Sequence, residues 1–112
     1  MSNIKVSKAK MKDLVDVFYW RNDLHSRKMF KSKGKVKFSE HKLWYFKSLR
    51  SRSTLLLICT KVDKYSSKVG LVRFNLSKQK INAEVSINLA PNMRGKGLGL
   101  ICLKKSIYFF KK

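Results

Sequence analysis

The stretch NLAPNMRGKGLGLICL, residues 88–103, places three of the chain's five glycines within five residues, with Arg94 and Lys96 among them. An alternating apolar run ends at Leu89, Pro91 stops any strand ladder, and an apolar block that suits a helix begins near Leu98. Strand, glycine loop and helix N-terminus in that order make an anion site. Glycines let backbone N–H groups approach a phosphate, and the first helical turn adds unpaired N–H groups and a favourable dipole. Pyrophosphate is the natural ligand. Spacing disfavours two familiar nucleotide loops. A Walker loop ends in G-K-[ST], whereas Lys96 is followed by Gly97, with no hydroxyl for magnesium. A dinucleotide fingerprint needs G-x-G-x-x-G after a parallel strand. Here Gly99 comes one residue early, and the strand before it belongs to a hairpin series.

Charge points the same way without naming a partner. Twenty-seven Lys and Arg against six Asp and Glu give a formal charge of +21, a field that attracts phosphates of any kind. The basic residues run through every segment, which disfavours a dedicated nucleic-acid arm. Aromatics interleaved with basic residues, as in HKLWYFKSLR (41–50), keep a nucleic-acid-binding module as the competing reading. Cys59 and Cys102 lie in separate apolar runs, with no C-x-x-C and no His at ligand spacing, so reduced buried thiols and no metal are expected. The N-terminal MSNIKVSKAKMK has no apolar signal core, and LLLIC is too short to cross a bilayer. The expectation is a soluble, cytoplasmic protein with no membrane partner.

These groups need a frame. At 112 residues and 44% hydrophobic content, the chain suits one domain, residues 1–112, with a packed core. Asn3 to Val6 reads as a short strand. Ser7 reads as the N-cap of a helix over Lys8 to Trp20, where Met11, Leu14, Val15 and Phe18 make one apolar stripe. The basic segment 21–38, with Gly34, breaks that period and reads as a loop. Ser39 then caps a helix over about Glu40 to Leu49, with Leu43, Trp44 and Phe46 inward. TLLLICTKV, KVGLVRFNL and INAEVSINL are β-rich runs separated by the hairpin-length DKYSSK and SKQK, giving three consecutive antiparallel strands. LGLICLKKSIYFF, apolar on more than one side, reads as a helix packed on the sheet. The order is β-α-α-β-β-β-α, an α+β class with an antiparallel central sheet.

In that order, Arg94, Gly97 and Gly99 fit [RQ]-x-x-G-x-[GA] between the fourth strand and the third helix, and this resembles the acyl-CoA pyrophosphate motif of the GNAT superfamily of N-acyltransferases. Upstream, WRND (20–23), then Arg27 and Met29, then SEHKLWYFKSL (39–49) are similar to the W-R-N, R-x-M, E-H-x-x-W pattern of one branch. That branch includes the pseudaminic acid biosynthesis N-acetyltransferase, whose members acetylate the 4-amino group of a UDP-linked amino-dideoxy sugar. The resemblance implies acetyl-CoA as donor, no metal, and a small amine acceptor of the nucleotide-sugar type. It implies that the backbone of Asn88 and Leu89 pairs with the pantetheine amides and polarises the thioester. Arg94, Gly95, Lys96, Gly97, Leu98 and Gly99 would hold the pyrophosphate. Trp20, Arg21, Asn22 and His41 would face the acceptor, an arginine suiting a diphosphate and an aromatic a sugar or base. Glu84, the one carboxylate of the last strand, would be the general base, directly or through water. His25 and Met29 receive no role.

The superfamily continues beyond the third helix with a fifth strand, a fourth helix and usually two more strands, and its thiolate-protonating tyrosine lies there. The sequence stops at Lys112, so the resemblance implies a C-terminally incomplete fold. That admits a truncated chain, a fragment completed by a second copy or another chain, or a non-catalytic remnant. Tyr108 does not take the tyrosine's role by position.

Overall fold

A computed structural model describes residues 3–23, 35–77 and 82–111. Arg27, Met29 and His25 lie outside the described residues. Four strands form one antiparallel sheet in sequential order: β1 (Ile4–Lys8), β2 (Thr54–Val62), β3 (Ser66–Leu76) and β4 (Ala83–Leu89). Leu57 pairs with Val72 and Val72 with Ile87, so the apolar residues of neighbouring strands fall in one row. Leu56, Leu57, Ile58 and Cys59 are all buried in succession, which requires both faces of the sheet to be covered.

Three helices cover them among the described residues: α1 (Leu14–Asn22), α2 (Phe38–Arg50) and α3 (Leu98–Lys111). Helix α3 lies on the face of Leu57, Cys59, Val72 and Phe74. There Cys59 Sγ is 3.6 Å from Ser106 Oγ, and the Phe74 and Phe110 rings stack with centroids 4.4 Å apart. Cys59 and Cys102 are both buried and free, as expected. Helices α1 and α2 lie on the opposite face, where the Arg73 guanidinium sits 5.9 Å from the centre of the Trp44 ring. No helix of the described residues is long and apolar enough to cross a membrane.

The expected element order holds, but the phase of both early helices does not. Strand β1 runs through Ser7 to Lys8, so Ser7 pairs with Ile58 and caps nothing. A 3₁₀ turn at Met11–Asp13 intervenes, with the Lys10 N–H donating to Asp13 Oδ2 at 2.9 Å. Asp13 is buried and ion-paired to Lys68 of β3 at 2.7 Å, and Lys68 also reaches Asp16 at 2.7 Å. The tighter turn rotates the helix that follows. Leu14, Val17 and Trp20 therefore point inward, while Met11 and Val15 are exposed.

Helix α2 starts at Phe38 with Lys37, not Ser39, at its N-cap. It buries His41, Tyr45 and Ser48, leaving Leu43 and Phe46 exposed and Trp44 half-buried. Hydropathy alone misplaces this face because the buried polar tips have partners: the Tyr45 hydroxyl donates to Lys10 O at 2.7 Å, and His41 reaches Leu14 O at 3.2 Å.

Candidate functional site

The glycine segment is built onto the end of β4. The Ala90 N–H donates to Val69 O at 2.8 Å, and a Cβ on Gly70 would come within 2.6 Å of Asn88 O, so Asn88 turns its backbone toward β3. Alternation of the antiparallel ladder then turns the backbone of Ile87 and Leu89 outward, toward the edge of β4 that pairs with no strand among the described residues. Of the two residues expected to meet a pantetheine arm, Leu89 turns its backbone to that edge and Asn88 turns away from it. Ile87, not singled out in the sequence, shares the direction of Leu89 by the same two-residue period.

A 3₁₀ turn at Pro91–Met93 leads into the loop, where Gly95 and Gly97 adopt φ of 74° and 72°. These left-handed conformations cost a side-chain-bearing residue about 1–2 kcal/mol, which explains both glycines. Gly95, Lys96 and Gly97 are exposed, so the loop is open to a ligand, while Leu98 is buried and anchors the start of α3. Gly99 differs: its backbone is ordinary, and an added Cβ would meet Leu89 Cδ1 at 3.5 Å, a normal contact. Arg94 spends its side chain on the protein, with Nη1 on Asp23 Oδ2 at 2.6 Å and Nη2 on Leu89 O at 3.2 Å. It braces the loop against the end of α1. Asp23 lies in the WRND stretch, but only the fold shows it to be the arginine's counter-ion.

On the α1/α2 face, His41 is fully buried. Its Nε2 donates to Leu14 O at 3.2 Å, which leaves Nδ1 to accept from Arg21 Nη1 at 3.4 Å. The ring is therefore the neutral Nε2–H tautomer. Burial holds its pKa below the ordinary value, the bond to Leu14 O works against that, and the Arg21 charge adds to the lowering. His41 consequently orients Arg21 and does not itself reach a ligand. The Arg21 guanidinium lies 4.5 Å from the centre of the Trp44 ring, and Arg73 approaches the same ring from β3.

Other expected acceptor groups are placed differently. Trp20 is 7% exposed and belongs to the core, its indole filling the space under α1. Asn22 uses its carboxamide on the backbone of Val36, accepting from its N–H at 2.7 Å and donating to its C=O at 2.9 Å, which fixes the entry to α2. Glu84 is exposed at the start of β4, opposite Asn75. Four residues of strand separate it from Asn88, about 14 Å. Among the described residues, no cluster of His, Cys, Asp or Glu is able to hold a metal ion.

Solved structures share this architecture. A domain from Methanocaldococcus jannaschii DSM 2661 superposes with a TM-score of 0.82 and 22% identity, covering 99% of this chain and 71% of that one. The spermidine N-acetyltransferase from Vibrio cholerae in complex with CoA and spermine gives 0.77 and 20%, over 95% and 62%. An N-acetyltransferase from Staphylococcus aureus Mu50 gives 0.76 and 21%, over 98% and 67%. The chain has the fold of these proteins and spans 62% of the length of the Vibrio enzyme. No family model matches the sequence, and no curated protein sequence matches it.

Proposed function

We propose that this chain serves acetyl transfer from acetyl-CoA to the amine of a small acceptor, and that the acceptor is a nucleotide-linked amino sugar. The observation that carries the donor half is the pair of left-handed glycines, Gly95 and Gly97, between the open edge of β4 and the first turn of α3. A pyrophosphate seated on that loop directs the pantetheine arm along β4, where the outward N–H and C=O of Ile87 are able to pair with its amides and the outward Leu89 N–H is left for the thioester. The amine nitrogen attacks the thioester carbonyl carbon, and the Leu89 N–H stabilises the developing oxyanion. The C–N bond forms, the C–S bond breaks with its electron pair on sulfur, and the proton shed by nitrogen balances the one the thiolate takes up. Glu84 lies about 14 Å from Asn88 along β4, beyond the reach of one bridging water, so the proton shed by that nitrogen passes to solvent.

The acceptor half rests on charge. A field of +21 favours the neutral, nucleophilic form of an amine and repels a polycation. Arg21 beside Trp44 suits a diphosphate next to a flat ring. The test mixes the chain with acetyl-CoA and a UDP-linked 4-amino-dideoxy sugar and follows thiol release, with spermidine as the alternative acceptor. Release with the nucleotide sugar and less than about a tenth of it with spermidine is expected, a difference of about 1.4 kcal/mol or more. Equal rates would remove the acceptor assignment, and no binding of acetyl-CoA in calorimetry would remove the donor assignment.

A further inference from the structure

Arg73 stands in β3 between Val72 and Phe74, both buried. Such a position is costly for a guanidinium unless a partner neutralises it. Its Nε is buried and finds no hydrogen-bond partner among the described residues. Arg21, 52 residues away in sequence, is brought to the same indole, so two cations share one ring. Burial, and after it the charge of Arg73, lowers the pKa of Arg21, while exposed Glu40 works weakly in the opposite sense. Most of the acids able to neutralise this pair are engaged elsewhere, and Glu40 and Glu84 are exposed. Asp13 and Asp16 hold Lys68, Asp23 holds Arg94, and Asp63 holds Lys61, four of the six acidic residues in the chain. Among the described residues, neither Arg21 nor Arg73 has a carboxylate in ion-pair range.

The pair also has a direction. Arg73 lies opposite Ser86 on β4, so both side chains point to the α1/α2 face, and Asn88 follows on the same face two residues on. Leu89 is three residues from Ser86, about 10 Å along the strand. A sugar ring and its anomeric phosphate span a comparable length, so a ligand whose phosphates lie at Arg73 carries an amine on the far side of its sugar to the thioester position.

We propose that Arg21 and Arg73, sharing the Trp44 ring, bind the diphosphate of a nucleoside-diphosphate acceptor, and that Arg73 is the residue that selects for that charge. This rests on the acetyl-transfer reading for its orientation, but it is tested apart from it. Uridine diphosphate and uridine are titrated calorimetrically onto the chain saturated with coenzyme A, which keeps the glycine loop occupied, and onto the chain alone. Uridine diphosphate is expected to bind in both cases, with uridine at least about tenfold weaker. Arg73→Met should weaken uridine diphosphate by about 10- to 100-fold, the value of one or two charge-assisted hydrogen bonds, and leave coenzyme A affinity within about twofold. Arg73→Lys keeps the charge but loses the planar fork, and should fall between the two. A thermal melt of each variant excludes loss of fold as the cause.

Unchanged uridine diphosphate affinity in both variants would overturn the role of Arg73, and equal binding of uridine would overturn recognition of the diphosphate. An oligouridylate that displaces uridine diphosphate while binding more tightly would overturn it in favour of nucleic acid. Coenzyme A binding without any uridine diphosphate binding defeats this inference and spares acetyl transfer. The reverse result spares this inference and defeats acetyl transfer.

Discussion

On the face of the sheet under α3, Leu57, Cys59, Val72 and Phe74 meet Cys102 and Phe110, and the contacts are almost wholly apolar. On the face under α1 and α2, Arg73 meets Trp44, Arg21 leans on the same ring, and His41 and Tyr45 behind them hydrogen-bond to backbone carbonyls of other segments. One sheet thus separates a packed layer from a layer of oriented polar groups. Apolar contact is non-directional and supplies stability in proportion to area, whereas a ring bonded to a carbonyl fixes where the next side chain points. Both faces bury apolar residues, but the α1/α2 face adds oriented polar groups, and the proposed recognition of a diphosphate would take place there.

The largest expected effect tests the packed face. Phe74 is 3% exposed and stacked on Phe110, so Phe74→Ala should cost about 3–5 kcal/mol, a large part of the total stability of a small domain. Urea unfolding followed by circular dichroism reads it directly. The half-buried Trp44→Ala, on the other face, should cost clearly less. Equal losses would mean that the two faces contribute alike to stability.

A smaller effect separates two glycines in one motif. Gly97→Ala forces a Cβ onto a left-handed backbone and should cost about 1–2 kcal/mol, either as stability or as about a tenfold loss of acetyl-CoA affinity when the loop relaxes. Gly99→Ala places its methyl at 3.5 Å from Leu89 Cδ1 and should change affinity by less than about threefold. Calorimetry with acetyl-CoA on both variants makes the comparison, and a Gly99→Ala loss as large as that of Gly97→Ala would detach the loop's geometry from its function.

The element order and the glycine loop were legible because each leaves a local trace: alternation marks β2 to β4, and bare backbone marks Gly95 and Gly97. The phase of α1 was not legible, because it depends on the 3₁₀ turn at Met11–Asp13 and on a buried pairing of Asp13 with Lys68, 55 residues along the chain. Nor was the inner side of α2. His41 and Tyr45 look like surface residues until Leu14 and Lys10 supply carbonyls to them, while Leu43 looks like core and is exposed. The same limit hid Arg73. Within KVGLVRFNL it reads as an interruption, although an arginine inside a strand buried on both faces was itself a signal of unmet charge. Gly70 carried no cue at all, since the close approach of Asn88 O that requires it exists only once β3 and β4 pair.

The smallest effect belongs to His41 and bears on the polar face alone. Burial keeps its folded-state pKa below the ordinary value of about 6.5, so as pH falls the unfolded chain takes up the proton first. The stability associated with the neutral ring is complete above about pH 6.5, declines as pH drops through that value toward the folded pKa, and levels off below it. Between pH 7 and pH 6 the loss should be under about 1 kcal/mol. His41→Gln should lower stability at every pH but flatten this part of the profile, whereas Phe74→Ala should lower the curve without changing its slope. Protonation of the folded chain also removes the acceptor that Nδ1 offers to Arg21 and sets two like charges against each other, so uridine diphosphate binding should weaken only at lower pH, as the folded pKa is approached, and more in the unmodified chain than in His41→Gln. If the slope persists in His41→Gln, the buried histidine is not the titrating group, and the polar layer owes its orientation to packing after all.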